Sequence, residues 1–244
     1  MLFRDQQRLI WQTQLDYQIN DQQIHIWTVD VSNHLNPDFA AYLDNQESER
    51  AERFKFSKDR NCFIGSHVAL RILLGKYCDC APRAIAYEYT AYNKPTLIDN
   101  NPIQFNLSHS HNQAIIAITK NHPIGIDIEY MQEKKILTEL AKRFFSSQEY
   151  EEYKSLATSQ KTLGFYNCWT RKEAFVKALG IGITCPLKSF SVNLTPEIDA
   201  KILSVQNNQD DVNQWKLFGF IPENNYCAAI AWRGPEKELY GCKI

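Results

Sequence analysis

A helix with a lysine in the middle of its greasy face has to answer for that charge, and residues 165–180 set this problem. Read at 3.6 residues per turn, Phe165, Cys168, Trp169, Phe175, Val176 and Leu179 form one apolar stripe. Lys172 falls inside it, Glu173 sits on its edge, and Lys177 follows Glu173 at i+4, so acid and amine share a face. Gly180 comes directly after the last apolar residue, where a left-handed cap ends a helix. The Glu173 and Lys177 pair can be a solvent-facing ion pair worth roughly 0.2 to 0.5 kcal/mol. An ammonium inside the stripe must snorkel out or meet an anion, and a bound ligand can supply that anion.

A second stretch, Ile124-Gly-Ile-Asp-Ile-Glu129, alternates like a strand. Its isoleucines point into a core while Asp127 and Glu129 emerge together on the other face, roughly 6.5 to 7 Å apart. Carboxylates so placed repel each other unless a cation lies between them, and an oxygen-only site with few protein ligands suits Mg²⁺ completed by phosphates. The plain alternative is an edge strand that carries charge against aggregation. Gly125 leaves room for a ligand to come close. In Phe105-Asn-Leu-Ser-His-Ser110, neighbours on a strand face opposite ways, so Ser108 and His109 are hydrogen-bonding groups rather than a nucleophile and its base. A surface loop with an incidental histidine is the alternative. Arg50, Arg53, Arg60 and Lys94 add positive charge ahead of these strands. Taken as a set, these features describe a site for a polyanionic ligand and a divalent metal.

Between these stretches the periods imply α+β architecture. QIHIWTVDV (23–31) reads as a first strand, 37–44 as a short helix, and 58–77 as the main helix of the first half. AIAYEYTA (84–91), 104–108 and QAIIAIT (113–119) read as strands, and the turn 120–123 is expected to fold QAIIAIT back on IGIDIEY as a hairpin. Two helical segments follow Met131, and the end of the chain offers strands at 189–194, 200–205, 215–221 and 226–232. NNQDDVNQ (207–214) reads as a hairpin loop between two of them. Each half supplies strands and one long helix, which hints at a duplicated unit.

With 27 basic against 28 acidic residues, the net charge of -1 offers no bulk attraction to nucleic acid or an acidic membrane. Seven scattered cysteines without a CxxC pair point to reduced thiols in a cytoplasmic chain. Arg4, Asp5 and Arg8 interrupt any signal-peptide core, and no apolar run approaches the roughly 20 residues that span a bilayer.

The ordered set NKP (93–95), FNLSHS (105–110), GIDIE (125–129) and WTRKEAFVK (169–177) resembles the 4'-phosphopantetheinyl transferases of the larger, surfactin-synthetase-activating type. Shorter likenesses at 49–54, 141–146 and 186–192 extend it over nearly the whole chain. The resemblance implies an α+β pseudo-dimer of two similar subdomains, 1–120 and 121–244, with coenzyme A held between them. It implies a monomeric enzyme that moves the phosphopantetheine arm of coenzyme A to a serine of an apo acyl or peptidyl carrier protein, with Mg²⁺ (or Mn²⁺), and releases adenosine 3',5'-bisphosphate. Carried over by residue, Asp127, Glu129 and Glu173 would ligate the metal, and Lys177 would meet the α-phosphate. Lys172 would sit beside the phosphates or brace the acid. Ser108 and His109 would hold the nucleotide end, Lys94 and Pro95 the adenosine side, and Arg50 and Arg60 the phosphates. Glu47 and Asn61 stand where the family often carries basic residues. Another Mg²⁺-dependent phosphotransferase or nuclease, and a catalytically dead carrier-binding module, are the competing readings. Fatty-acid, polyketide and nonribosomal-peptide carriers are all compatible with the motifs.

Overall fold

The computed structural model describes residues 8–205 and 212–244. In chain order its strands and helices are β1 (Leu9–Gln12), β2 (Gln23–Asp30), α1 (Asn45–Glu52), α2 (Ser57–Tyr77), β3 (Tyr87–Tyr89), β4 (Pro95–Leu97), β5 (Ile103–Ser110), β6 (Gln113–Lys120) and β7 (Ile124–Tyr130). There follow α3 (Leu137–Phe144), α4 (Ser147–Ser155), α5 (Thr158–Leu179), β8 (Phe190–Val192), β9 (Ile202–Val205), β10 (Trp215–Phe220), β11 (Tyr226–Arg233) and β12 (Glu238–Lys243). The expected short helix near 37–44 is a 3₁₀ segment, Pro37–Tyr42.

Each half sets one long helix on a sheet. In the first, α2 covers a five-stranded sheet of order β1-β12-β2-β6-β5, packing Ala69, Leu70, Leu73 and Leu74 against Trp27, Val29, Ile116 and Ile118. In the second, α5 covers a three-stranded antiparallel sheet of order β10-β11-β7. Its Ala174, Phe175 and Ala178 lie over Cys227, Ala229 and Ala231, whose small side chains let the helix axis come close. The opposite faces of the two sheets meet in a third core built from Ile24, Ile26, Ile115, Ala117, Ile124, Ile126, Ile128 and Ile230. The molecule is thus layered helix, sheet, sheet, helix. β6 and β11 are buried on both sides, which is why they read as unbroken apolar runs rather than alternating ones.

The expected hairpin between β6 and β7 does not form. β6 already has β2 on one edge and β5 on the other, so it has no free ladder for β7. β7 leaves the sheet after the turn at Asn121 and pairs antiparallel with β11 instead. It then runs beside β5 in the same direction, joined by side chains rather than by a ladder. The amides of Ile126, Ile128 and Tyr130 donate to Asn106 Oδ1 (2.8 Å), Ser108 Oγ (3.4 Å) and Ser110 Oγ (3.1 Å). The run 207–214, expected as a hairpin loop, lies largely outside the described residues; among those described, β9 pairs with β8 and β10 with β11. The final strand β12 returns to the first sheet and lies parallel to both β1 and β2.

Candidate active site

Gly125, Asp127 and Glu129 share the face of β7 that looks at α5. The room expected for a ligand at Gly125 is filled by that helix: a methyl group there would run into Ala174 O and Ala178 N, and lie 2.8 Å from Lys177 C. This close crossing sets Lys177 beside Asp127. Lys177 Nζ donates to Asp127 Oδ1 at 2.6 Å and to Ser108 Oγ at 2.9 Å, and Ser108 donates in turn to Asp127 Oδ1 at 2.9 Å. Three elements, β5, β7 and α5, therefore each contribute one group to a single contact.

Asp127 is only 4% exposed, and its second oxygen, Oδ2, has no hydrogen-bond partner. A buried carboxylate oxygen left unpaired is costly unless something else occupies it. Glu129, held by Ser110 Oγ at 3.1 Å, has its carboxyl raised to about 7, by burial first and then by the charge of Asp127. Burial and the same Asp127 charge raise Glu173 above the ordinary carboxylate range, against the opposing pull of Lys177. Glu129 and Glu173 thus both feel Asp127 as excess negative charge, the condition that a divalent cation relieves. Among the described residues, no three His, Cys, Asp or Glu side chains already converge to hold a metal. An ion bound here would draw on a partial set of carboxylates, which suits a metal that keeps its waters and takes phosphate oxygens.

The basic residues divide into those facing open space and those already engaged. His109 points the other way from Ser108, toward α2, where its Nδ1 lies 3.4 Å from Cys62 Sγ. Burial, then the charges of His67, Lys177 and Arg50, lower its pKa to about 4, so the ring is neutral at physiological pH. Arg50 lies over the Phe63 ring at 5.1 Å, and that ring stacks on His67 at 4.0 Å, so Arg50, His67 and His109 gather along one flank of α2. Arg60 stands exposed in the first turns of α2, and Pro95 opens β4 half-buried.

Two lysines expected at the site are engaged with the protein itself. Lys172 does not meet ligand phosphates: it is 1% exposed and donates to both oxygens of Glu149, at 2.6 and 2.8 Å, and to Phe190 O at 2.7 Å. Glu149 also caps α4 by accepting from Ser146 N, and it accepts from Val192 N of β8. The anion required by the apolar stripe is therefore a protein carboxylate. The Lys94 ammonium donates to Ile124 O, Lys177 O and Ala178 O at 2.8, 2.8 and 3.4 Å, so its three N–H donors are spent on backbone of the second half. Glu47 also has a structural task, forming a capping box with Asp44 and holding the buried Arg71.

Sequence reasoning missed Glu149, His67 and Cys62. The spacing Ser146-x-x-Glu149 is a legible capping box, but nothing local says that its acid is buried against a lysine 23 residues on. It also missed a cavity of about 610 Å³ beside Glu173 and Lys177, walled by Phe144, Trp169, Val176 and Leu187, with Arg143 and Lys188 among its lining residues.

Residues 123–231 match the family model of the 4'-phosphopantetheinyl transferase superfamily, and residues 29–121 match that of a 4'-phosphopantetheinyl transferase N-terminal region. The chain is 37% identical over 217 residues to the 4'-phosphopantetheinyl transferase HetI of Nostoc sp., covering 87% of this chain and 88% of that protein. It is 34% identical over 206 residues to a 4'-phosphopantetheinyl transferase of Bacillus subtilis, covering 82% and 91%. It is also 34% identical over 164 residues to the transferase Sfp of Bacillus subtilis, covering 67% and 72%. With relatives this similar along most of their length, and with the acids and lysine of β7 and α5 set at one crossing, the chain belongs to the 4'-phosphopantetheinyl transferases of the Sfp-like type.

Proposed function

We propose that this enzyme transfers the 4'-phosphopantetheine arm of coenzyme A to a serine of apo acyl or peptidyl carrier proteins and releases adenosine 3',5'-bisphosphate. The observation that carries the reading is the unpartnered Asp127 Oδ2, buried between Lys177 and two carboxylates of raised pKa. An unpaired buried carboxylate oxygen suits Mg²⁺, with Mn²⁺ as the alternative, and Asp127, Glu129 and Glu173 are the residues that would draw together to hold it. When bound, the ion neutralises charge on the pyrophosphate of coenzyme A.

The chain's own groups account for the remaining needs of the reaction. The serine oxygen forms a bond to the β-phosphorus, and the bond from that phosphorus to the bridging oxygen breaks, so the bisphosphate leaves with the electron pair. Lys177, already within 2.6 Å of Asp127, stands where its ammonium meets the charge that builds on the departing phosphate. Glu173, directly or through a water, is the group of this chain placed to take the serine proton. Ser108 holds Asp127 and Lys177 in place, while Arg50, Arg60 and the neutral His109 supply donors along α2 for the nucleotide's phosphates. The apolar cavity beside Glu173 has room for the arm, a chain of methylenes and amides. Both halves of the site come from one chain, in keeping with a working monomer. All seven cysteines are free, as suits the reducing cytoplasm where coenzyme A and carrier proteins meet.

The test is intact-mass spectrometry of apo carriers from fatty-acid, polyketide and nonribosomal-peptide systems, incubated with coenzyme A and Mg²⁺. The wild-type chain adds the arm to at least one of them. Asp127→Asn and Glu173→Gln each slow transfer by roughly a hundredfold or more, the scale of losing a group that stabilises developing charge. Near-normal turnover by either variant would refute the assignment.

A further inference from the structure

The turn that carries Lys94 belongs to the hairpin between β3 and β4, yet its ammonium lies at the other half's working junction. Ile124 O is the first carbonyl of β7, the strand that bears Asp127 and Glu129. Lys177 O and Ala178 O belong to the last turn of α5, the helix that bears Glu173 and Lys177. Carbonyls at a helix C-terminus lack intrahelical partners and carry the negative end of the helix dipole, so an ammonium is well suited to them. The lysine stem reaches them by passing over Gly180, which has φ of 71°; a Cβ there would lie 3.2 Å from Lys94 Cδ. Gly180 thus serves both the left-handed cap and the passage of this side chain.

We propose that Lys94 is a positioning residue: its ammonium bolts the start of β7 to the end of α5 and thereby fixes the Asp127 to Lys177 contact on which transfer depends. Among the described residues no carboxylate pairs with this ammonium, and burial lowers its pKa to about 8, so the carbonyls are what retain it. The same residue of the first half that resembles a nucleotide ligand therefore acts on the second half's backbone. Its kinetic consequence rests on the transferase reading, whereas its structural consequence does not.

The experiment compares full-length wild type with Lys94→Met, Lys94→Gln and Lys94→Arg. For Lys94→Met we expect kcat to fall by roughly ten- to a hundredfold, the scale of a small misplacement of reacting groups. Calorimetric Kd and KM for coenzyme A stay within about twofold of wild type, because no contact to the ligand is lost. Lys94→Arg, which keeps a charged donor, recovers part of kcat. Amide exchange at 125–127 and 178–180 speeds up in Lys94→Met relative to the rest of the chain, and Lys94→Gln gives an intermediate response should the methionine variant fold poorly. A raised Kd for coenzyme A with kcat unchanged would overturn the proposal in favour of a ligand contact. A lower melting temperature with kcat unchanged would overturn it in favour of a merely structural lysine. Unchanged exchange at both segments would also overturn it. Exchange is read without any transfer, so a wild-type chain inactive on every carrier would refute the transferase reading and leave exchange to decide on Lys94.

Discussion

Burial and the neighbouring Asp127 charge raise the Glu129 carboxyl from 4.5 to about 7. Between those two values the folded chain keeps a proton that the unfolded chain has released, so stability falls as pH rises through this window and stays low above it. For a group that is mostly but not wholly buried, the penalty above the window is on the order of 2 kcal/mol. Glu129→Gln removes it. In chelator, the variant should melt higher than wild type at about pH 8, and the difference should vanish as pH falls toward the unfolded value of Glu129. Thermal melts across that range check this, and a difference that does not change with pH would rule the charge account out. The same excess of negative charge predicts that Mg²⁺ stabilises the wild type more at high pH than at low pH, because binding to the folded state alone raises its apparent stability.

The crossing of β7 and α5 is where element-scale packing becomes chemistry. Gly125→Ala puts a methyl group into the backbone of α5 and must part the two elements, at a cost of about 1 to 3 kcal/mol or more. Transfer should fall further than stability, because the 2.6 Å contact between Lys177 and Asp127 is the first to open. Kinetics set beside urea denaturation separate the two, and retained kcat in a destabilised variant would show that the crossing does not govern the site. On the other flank of α5, Lys172→Met strands the buried Glu149 carboxylate and should cost about 3 to 5 kcal/mol, with part recovered by adding Glu149→Gln. Much of α5 was legible, since its stripe has helical period and its terminal glycine marks the cap. The partner of Lys172 was not, because it lies on another helix 23 residues upstream and reads locally as an exposed acid of a capping box. For β7 the alternation announced two acids on one face, but a four-residue turn looks the same whether the next strand pairs back or departs. What decides is that β2 and β5 fill both edges of β6, a tertiary fact with no local signature.

At the scale of the whole molecule, the two halves are interlocked by the last strand. β12 lies between β1 and β2 and is parallel to both, so the first half's sheet is incomplete without residues from the far end of the chain. The faces of the two sheets also seal a shared core of isoleucines, and β5 holds β7 through Asn106, Ser108 and Ser110. A duplicated sequence pattern suggests two separable units; the strand order argues that they fold together. A fragment of residues 1–120 would leave β2 with an open edge, deprive β1 of its ladder partner, and expose Ile24, Ile26, Ile115 and Ala117 to water. It should therefore lack a cooperative thermal transition and should aggregate, whereas co-expression with 121–244 should restore a soluble complex that melts cooperatively. Circular dichroism and light scattering on the fragment alone and on the pair provide the readout. A monomeric fragment 1–120 that melts cooperatively would show that β12 is an accessory to the first sheet rather than one of its structural members.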